Sequence, residues 1–582
     1  MYENIFTYNF LTSFFFSSIF LLINIFFSII ISQNKKIKQL FFFNEFQSII
    51  IFFLLFFFFV LIFNLTIILN YQFLTEIFFL IVIAQIIFIL KNLKVLKFKL
   101  NYNFKLDEKI ILFFLFILFL ISILPLSDAD SISIYQYLPT TIFLKGLNFI
   151  DLNQNLEFTL LSNTEILLII SPILKSDNFG SQLNLITLLF FIILNFRNHK
   201  NFSLILLSCP LIIYFISTQK LQLFFAILFL LLFILINKNL IKKKSELFIL
   251  ILLLTFYSSG KISYILFTIP LFLYFFYLNF KNWKIIILYS SICFFLVYAP
   301  LLFLKHEYFG NIFAPFFDNL LGNSSEIYNA FTYSIRSSEG WISNPYDYSV
   351  YLRPFISFDL AKLSSSLGLI FLLMLVNLKL NRKTKFIPLI MILLVIITGQ
   401  ILPRYYFESF LLLAYYYQPK ELFSRLLIYC QLSAIFLISI IFIYFAYIKF
   451  DVIKDKSKYM NRFSYSFFNA QQFKLYDLDG NILDFGLDRH SVFLNDNIFS
   501  LRYLNILNQY NNKNELNLNN FIMDNSIKYL IVNNKNLIPN CLITKEIGAT
   551  LRKSAVRNFL IKTDKKKYKI LEISGNKCTY KN

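Results

Sequence analysis

"IILFFLFILFLISILPLSDAD", Ile110 to Asp130, carries an apolar run directly into two carboxylates. The run from Ile110 to Leu126 is close to the about 20 residues that a helix needs to cross a bilayer core. Just before it stands "KNLKVLKFKLNYNFKLDEK", Lys91 to Lys109, which is strongly basic. Loops rich in Lys and Arg stay on the cytoplasmic side, so the run leaves the membrane on the opposite face. Asp128 and Asp130 therefore emerge outside.

The same reading extends in both directions. The chain has 582 residues, 58% of them hydrophobic and 20% aromatic, with a mean hydropathy of +0.66. That composition lies outside the range of soluble domains and describes an integral membrane protein. The net charge of +22 is spread over short basic clusters between apolar runs, which fits retained cytoplasmic loops and excludes a nucleic-acid partner. With the N-terminus outside, "NKKIK" (34–38), the 91–109 loop, "RNHK" (197–200), "NKNLIKKK" (237–244), "KNWK" (281–284), "NRKTK" (381–385) and "KELFSR" (420–425) all fall inside. This count needs roughly 12–14 spans. The first, about Phe10 to Ile31, lacks a cleavage site and reads as a retained helix.

Residues 1–109 hold three leading spans, 110–449 the main membrane region, and 450–582 a polar tail. Outer loops are expected over 127–182 and 305–360. Within the first, "TEILLIISPILK" is too short to span and reads as a helix lying on the membrane surface. In the tail, "NILDFG" (481–486), "IKYLIV" (527–532) and "KYKILEIS" (567–574) read as strands of a small α/β domain. Cys541 and Cys578 lie there too and are able to pair in an oxidising compartment.

Polar groups on the outer side are few. Residues spaced i, i+2 share a cation only from an extended segment, so Asp128 and Asp130 act together or singly according to the local backbone. The competing reading is that one of them caps the helix starting near Ser131. Lys220, Lys261 and Arg404 sit at outer ends of spans, where a cation either snorkels to the headgroups or holds a phosphate; the guanidinium suits phosphate best. His306 and Glu307 open the long loop as a candidate metal or acid–base pair. Tyr135 stacks on a sugar or sits in the interfacial belt.

"PLSDADSISIYQYLPTTIFLKG" (125–146) resembles the first outer loop of polytopic glycosyltransferases of the GT-C class, the polyprenyl-phosphate-sugar-dependent mannosyltransferases and aminoarabinose transferases. "LKHEYFGNIFAPFF" (304–317) is similar to their "GNP" segment, "ILPRYYFESFLLL" (401–413) to their "RY" helix start, and "IKYLIVNN" (527–534) to a strand of their C-terminal domain. The sequence departs from the pattern at Tyr135-Gln136 and at Ile312.

The resemblance implies a GT-C-like helical fold with an active site and a C-terminal domain on the periplasmic face of a bacterial inner membrane. It implies a polyprenyl-phosphate-linked sugar donor and a glycolipid, polysaccharide or protein acceptor. Asp130, with Asp128 second, is then the catalytic base or a ligand of a divalent cation (Mg or Mn), with His306 a further candidate ligand. Arg404, Lys261 and Lys220 would hold the donor phosphate, and Tyr135 and Glu307 would line the substrate site. Rival readings are a surface-polysaccharide polymerase or ligase relying on Arg336 and Arg353, and a lipid-linked oligosaccharide flippase or transporter.

Overall fold

The computed structural model describes residues 8–34, 46–95, 105–128, 130–146, 160–195, 200–237, 243–313, 349–356, 363, 366–376, 382–397, 403–419, 421–464, 467–468, 471, 476, 478–485, 498–500, 518–532, 538, 541–553 and 565–576. Helices fill it up to residue 468 and a small sheet follows. Among the described residues four stretches are long and apolar enough to cross a membrane: Phe10–Gln33, Gln47–Asn92, Phe280–Phe309 and Leu422–Lys449. The second folds back on itself at the 3₁₀ turn Tyr71–Phe73. The Phe59 and Phe78 rings lie 5.8 Å apart, whereas a straight helix would separate them by about 28 Å.

Lipid tails solvate Phe and Leu as well as other side chains do, so helix association in a bilayer depends on close packing and interhelical hydrogen bonds. Buried amides supply several of those bonds. Asn64 donates to Asn163 (3.0 Å), Asn163 to Ser259 (2.8 Å), and Gln85 to Asn24 (3.3 Å).

The expected surface helix is absent in that form. "TEILLIISPILK" folds into two short helices, Asn163–Leu167 and Ile170–Ile173, whose residues are all buried. They are enclosed by the Gln47–Asn70, Lys244–Ser259 and Tyr137–Lys145 helices. Apart from the exposed Lys175 at its end, the segment has little to offer water, and Glu165, with Ser162 and Asn163 just before the segment, finds protein partners instead.

Beyond the last long helix the helical core continues past residue 450. The Lys456–Phe463 helix buries Tyr459, Met460 and Phe463 in it.

The sheet contains β1 (Asn481–Asp484), β2 (Ile498–Ser500), β3 (Ile527–Val532), β4 (Leu542–Lys553) and β5 (Lys565–Asn576) in the order β2-β1-β3-β5-β4. β1 pairs in parallel with β2 and β3, and β5 runs antiparallel to β3 and β4. Alternate side chains serve opposite faces. Leu483, Leu530, Val532 and Leu571 pack on one side with Leu518 and Ile522 of the Leu518–Asp524 helix, while Ile482, Tyr529, Ile531 and Tyr568 pack on the other. Cys541, at the start of β4, is disulfide-bonded, and Cys578 lies outside the described residues.

Candidate functional site

The chain comes off the Leu106–Ser122 helix and turns at Asp128 into the helix of 131–145. Asp128 caps that turn, because its Oδ2 accepts from the backbone N–H and the hydroxyl of Ser131, both at 3.0 Å. The same Oδ2 also faces the ammonium of Lys220 at 3.3 Å, and Asp130 Oδ2 lies 2.9 Å from that ammonium. Asp128 thus caps the turn while both carboxylates share the Lys220 ammonium, and they do so without the extended segment the expectation required, since Asp130 is helical (φ −66°, ψ −38°).

Lys220 is placed there by a tightly held connection between two short helices, Pro210–Ile216 and Gln222–Asn237. Asn184, fully buried, donates to the carbonyls of Lys220 (2.6 Å) and Phe215 (2.9 Å) and accepts from Phe224 N–H (3.0 Å). Gln219 ties the connection to the first loop: its backbone N–H donates to Ser131 (3.1 Å), and its side chain donates to Gln136 and Ser171. Gly180 N–H reaches the Gln219 side chain at 2.9 Å. A Cβ on Gly180 would lie 2.5 Å from the Gln219 carbonyl oxygen, so only glycine permits this approach.

Arg404 arrives from a third region, the 3₁₀ turn Pro403–Tyr405. Its carbonyl accepts from Gln222, which locks the turn beside Lys220. The guanidinium donates to the hydroxyls of Tyr214 (3.0 Å) and Tyr405 (3.4 Å) and lies 3.9 Å from Asp130. Tyr214 also accepts from Lys220. Lys261 stands over the Tyr405 ring, 4.9 Å from its centroid, and Lys220 lies 5.9 Å from the centroid of Tyr135.

Six expected site residues thus meet: Asp128, Asp130, Tyr135, Lys220, Lys261 and Arg404. Lys220 is only 7% exposed, and Tyr135 faces the cluster. Glu307 and His306 stay apart, both exposed at the end of the Trp283–Phe309 helix, which Gly310 closes in the left-handed conformation (φ 64°). Arg336 and the side chain of Arg353 lie outside the described residues. A divalent cation fits poorly here, because the ammonium of Lys220 occupies the point where both carboxylates converge. Among the described residues no three His, Cys, Asp or Glu side chains form a metal-ligating group.

Charge governs the chemistry of the cluster. Burial pulls the Lys220 ammonium down, but Asp128 and Asp130 outweigh it and hold the group well above the ordinary lysine value. Lys261 goes the other way, lowered chiefly by burial. Burial opposes ionisation of Tyr405, yet Lys261 and Arg404 bring its phenol down to about 8. Counting Lys220, Lys261 and Arg404 against Asp128 and Asp130, the cluster carries one excess positive charge beside a phenol close to ionising.

Tyr214, Tyr405 and Glu165 are the additions that the sequence reading missed. Glu165 is buried and raised to about 7 by that burial, against hydrogen bonds from Ser162. Its signal was an acid inside an apolar run, where ionisable residues usually have a task. Compared with known families, characterised proteins and solved structures, the chain matches none.

Proposed function

We propose that this chain is a polytopic membrane glycosyltransferase of the GT-C class, acting on the periplasmic face of a bacterial inner membrane with a polyprenyl-phosphate sugar as donor. The observation that carries the reading is the convergence of Asp128 and Asp130 with Lys220 and Arg404, drawn from three regions of sequence into contacts of 4 Å or less. With Lys261 over the Tyr405 ring beside it, the group has three cations for two carboxylates; that surplus suits a phosphate, and the carboxylates suit proton removal from an acceptor.

The exchange of ion pairs links the two tasks. A donor phosphate entering the cluster competes with Asp130 for Lys220 and Arg404. A carboxylate that loses its cations becomes a stronger base. Asp130 then takes the proton of the acceptor hydroxyl or amine as that atom bonds to the anomeric carbon. The bond from that carbon to the phosphate oxygen breaks, and the leaving phosphate keeps the electron pair. Arg404 and Lys261 stabilise the charge it gains. Tyr135 and Tyr405 offer ring faces for the sugar.

Transfer from a radiolabelled polyprenyl-phosphate sugar tests this reading. Asp130→Asn should reduce transfer at least about 100-fold, the usual size of a lost general base, and Asp128→Asn should reduce it by disordering the turn. Undiminished transfer in both variants, at normal expression, sinks the assignment.

A further inference from the structure

A cavity of about 300 Å³ opens beside the cluster, between the Lys244–Ser259, Ile265–Leu278 and Trp283–Phe309 helices. Its walls are apolar, including Leu161, Ile262, Phe294, Leu301 and Phe313. Ile262, Phe294 and Phe313 are each more than 40% exposed, so the cavity has an open, greasy rim. That rim is carried partly by a helix long enough to cross a membrane, where the solvent on the open side is lipid.

Lys305 is the one charged residue among those lining the cavity, and its side chain is buried with 8% of its surface exposed. The hydroxyls in the wall have partners already. Tyr298 donates to Ser258 (2.8 Å), Thr268 to the Tyr264 carbonyl (2.9 Å) and Ser259 to the Phe256 carbonyl (2.8 Å). The cavity is thus an apolar slot with a single cationic end.

The dimensions match one leaflet. Phe294 and Lys305 are on the same helix, and the eleven residues of rise between them span about 16 Å. Half of a hydrocarbon core is about 15 Å. Lys305 lies five residues before the Gly310 helix end. A chain lying along the slot with its anionic head at Lys305 has the length and polarity of a lipid in place.

The slot is not the donor cluster. Lys220, Lys261 and Arg404 do not line it. Ser162, in the slot's wall, donates to Glu165, and Glu165 interacts electrostatically with both Lys261 and Lys305. Lys305 alone of these cations lines the slot, which keeps its cationic end apart from the cluster.

We propose that this cavity holds the acyl chain of an anionic membrane phospholipid, its phosphate paired with Lys305, in a seat separate from the Arg404 cluster. The reading needs only that the chain resides in a bilayer, and it stands whether or not the protein transfers sugars.

Native mass spectrometry of the full-length protein in detergent tests it, with lysophosphatidylglycerol and lysophosphatidylcholine as probes. The anionic probe should bind about tenfold more strongly, the scale of one charge-assisted contact. Lys305→Gln should erase that preference by weakening lysophosphatidylglycerol about tenfold and lysophosphatidylcholine, whose phosphate is already paired with its own choline, much less. Leu301→Trp should weaken both probes by filling the slot, and Arg404→Gln should change neither. Lys305→Gln keeps the test standing if Leu301→Trp does not fold. A preference that survives Lys305→Gln overturns the proposal, as does a preference lost in Arg404→Gln. Displacement of lysophosphatidylglycerol by farnesyl phosphate, in native protein and Arg404→Gln alike, gives the slot to the donor's chain and overturns it too.

Discussion

Two groups of ions, one at Asp177 and one at Asp128 and Asp130, differ in the respects that matter for chemistry. At Asp177 a single lysine, Lys456, sits 2.5 Å from the carboxylate, with both side chains nearly sealed from solvent (4% and 13% exposed). Ser13 donates to the same carboxylate at 2.8 Å and also bonds Ser176 and Asn178. Charge there is balanced and enclosed. In the Asp128–Asp130 cluster the cations are buried, with Lys220 7% and Arg404 19% exposed, while the acids are 30% and 34% exposed, and Lys261 beside Tyr405 adds a third cation to the two. A closed, neutral pair fixes structure; an open cluster with a surplus cation can exchange partners with an incoming anion.

The largest effect is expected where the sealed pair is broken. Lys456→Met leaves Asp177 buried without its cation and should cost about 3–5 kcal/mol, read as a large drop in Tm in detergent. Lys220→Met should lower Tm much less, because water already reaches Asp128 and Asp130. Equal losses in the two variants would erase the distinction between structural and exchangeable ions.

Arg404→Gln comes next. Removing a charge-assisted contact should weaken binding of a polyprenyl phosphate about 10- to 100-fold, with Tm nearly unchanged, as measured by displacement of a fluorescent analogue. Full affinity in the variant would move the phosphate elsewhere.

A smaller and more diagnostic effect is expected from pH. Tyr405 is neutral below about 8 and anionic above it. Each ionised Tyr405 removes the surplus positive charge, so phosphate affinity should fall as pH rises through that value. Tyr405→Phe should flatten the decline in an affinity titration between pH 6 and 9.5. A decline identical in both proteins would assign it to another group.

The smallest change is expected at His306 and Glu307, which are exposed and take no part in the ion pairs of Asp128 and Asp130. Alanine at either position should leave transfer and Tm within error in the same assays. A loss of activity there would enlarge the site beyond the residues assembled around Lys220.

Much of this arrangement was legible from residue order, and the reason differs by element. β1, β3 and β5 fall on "NILDFG", "IKYLIV" and "KYKILEIS", because alternation and β-branched residues mark half-buried strands. β2 is three residues long, and β4 reads "LITKEIGATLRK", with charges and a glycine breaking the pattern. The helices of 163–173 were misplaced on the membrane surface because an apolar segment too short to span has two homes, the interface or the interior. Only tertiary contacts decide between them. Basic clusters between spans indicated that Asp128, Lys220 and Arg404 share one side, but not that they touch. Their contact depends on Asn184, Gln219 and Gly180, whose roles are backbone geometry and leave no periodic trace. Glu165 was hidden by its own surroundings, since a lone acid in "TEILLIIS" looks like an interruption until its capping hydrogen bonds are visible.

The Lys456–Phe463 helix has a practical consequence for anyone trimming the protein. Lys456 clamps Asp177 and also donates to the Tyr8 carbonyl at 3.3 Å. Tyr459 is hydrogen-bonded with Ser127, the residue before Asp128. A shortened protein that ends at the last long helix would therefore lose the brace under its acidic turn while keeping every residue of the ion cluster. Loss of function in such a fragment would be a fault of where the cut was made, and a cut placed after Phe468 avoids it.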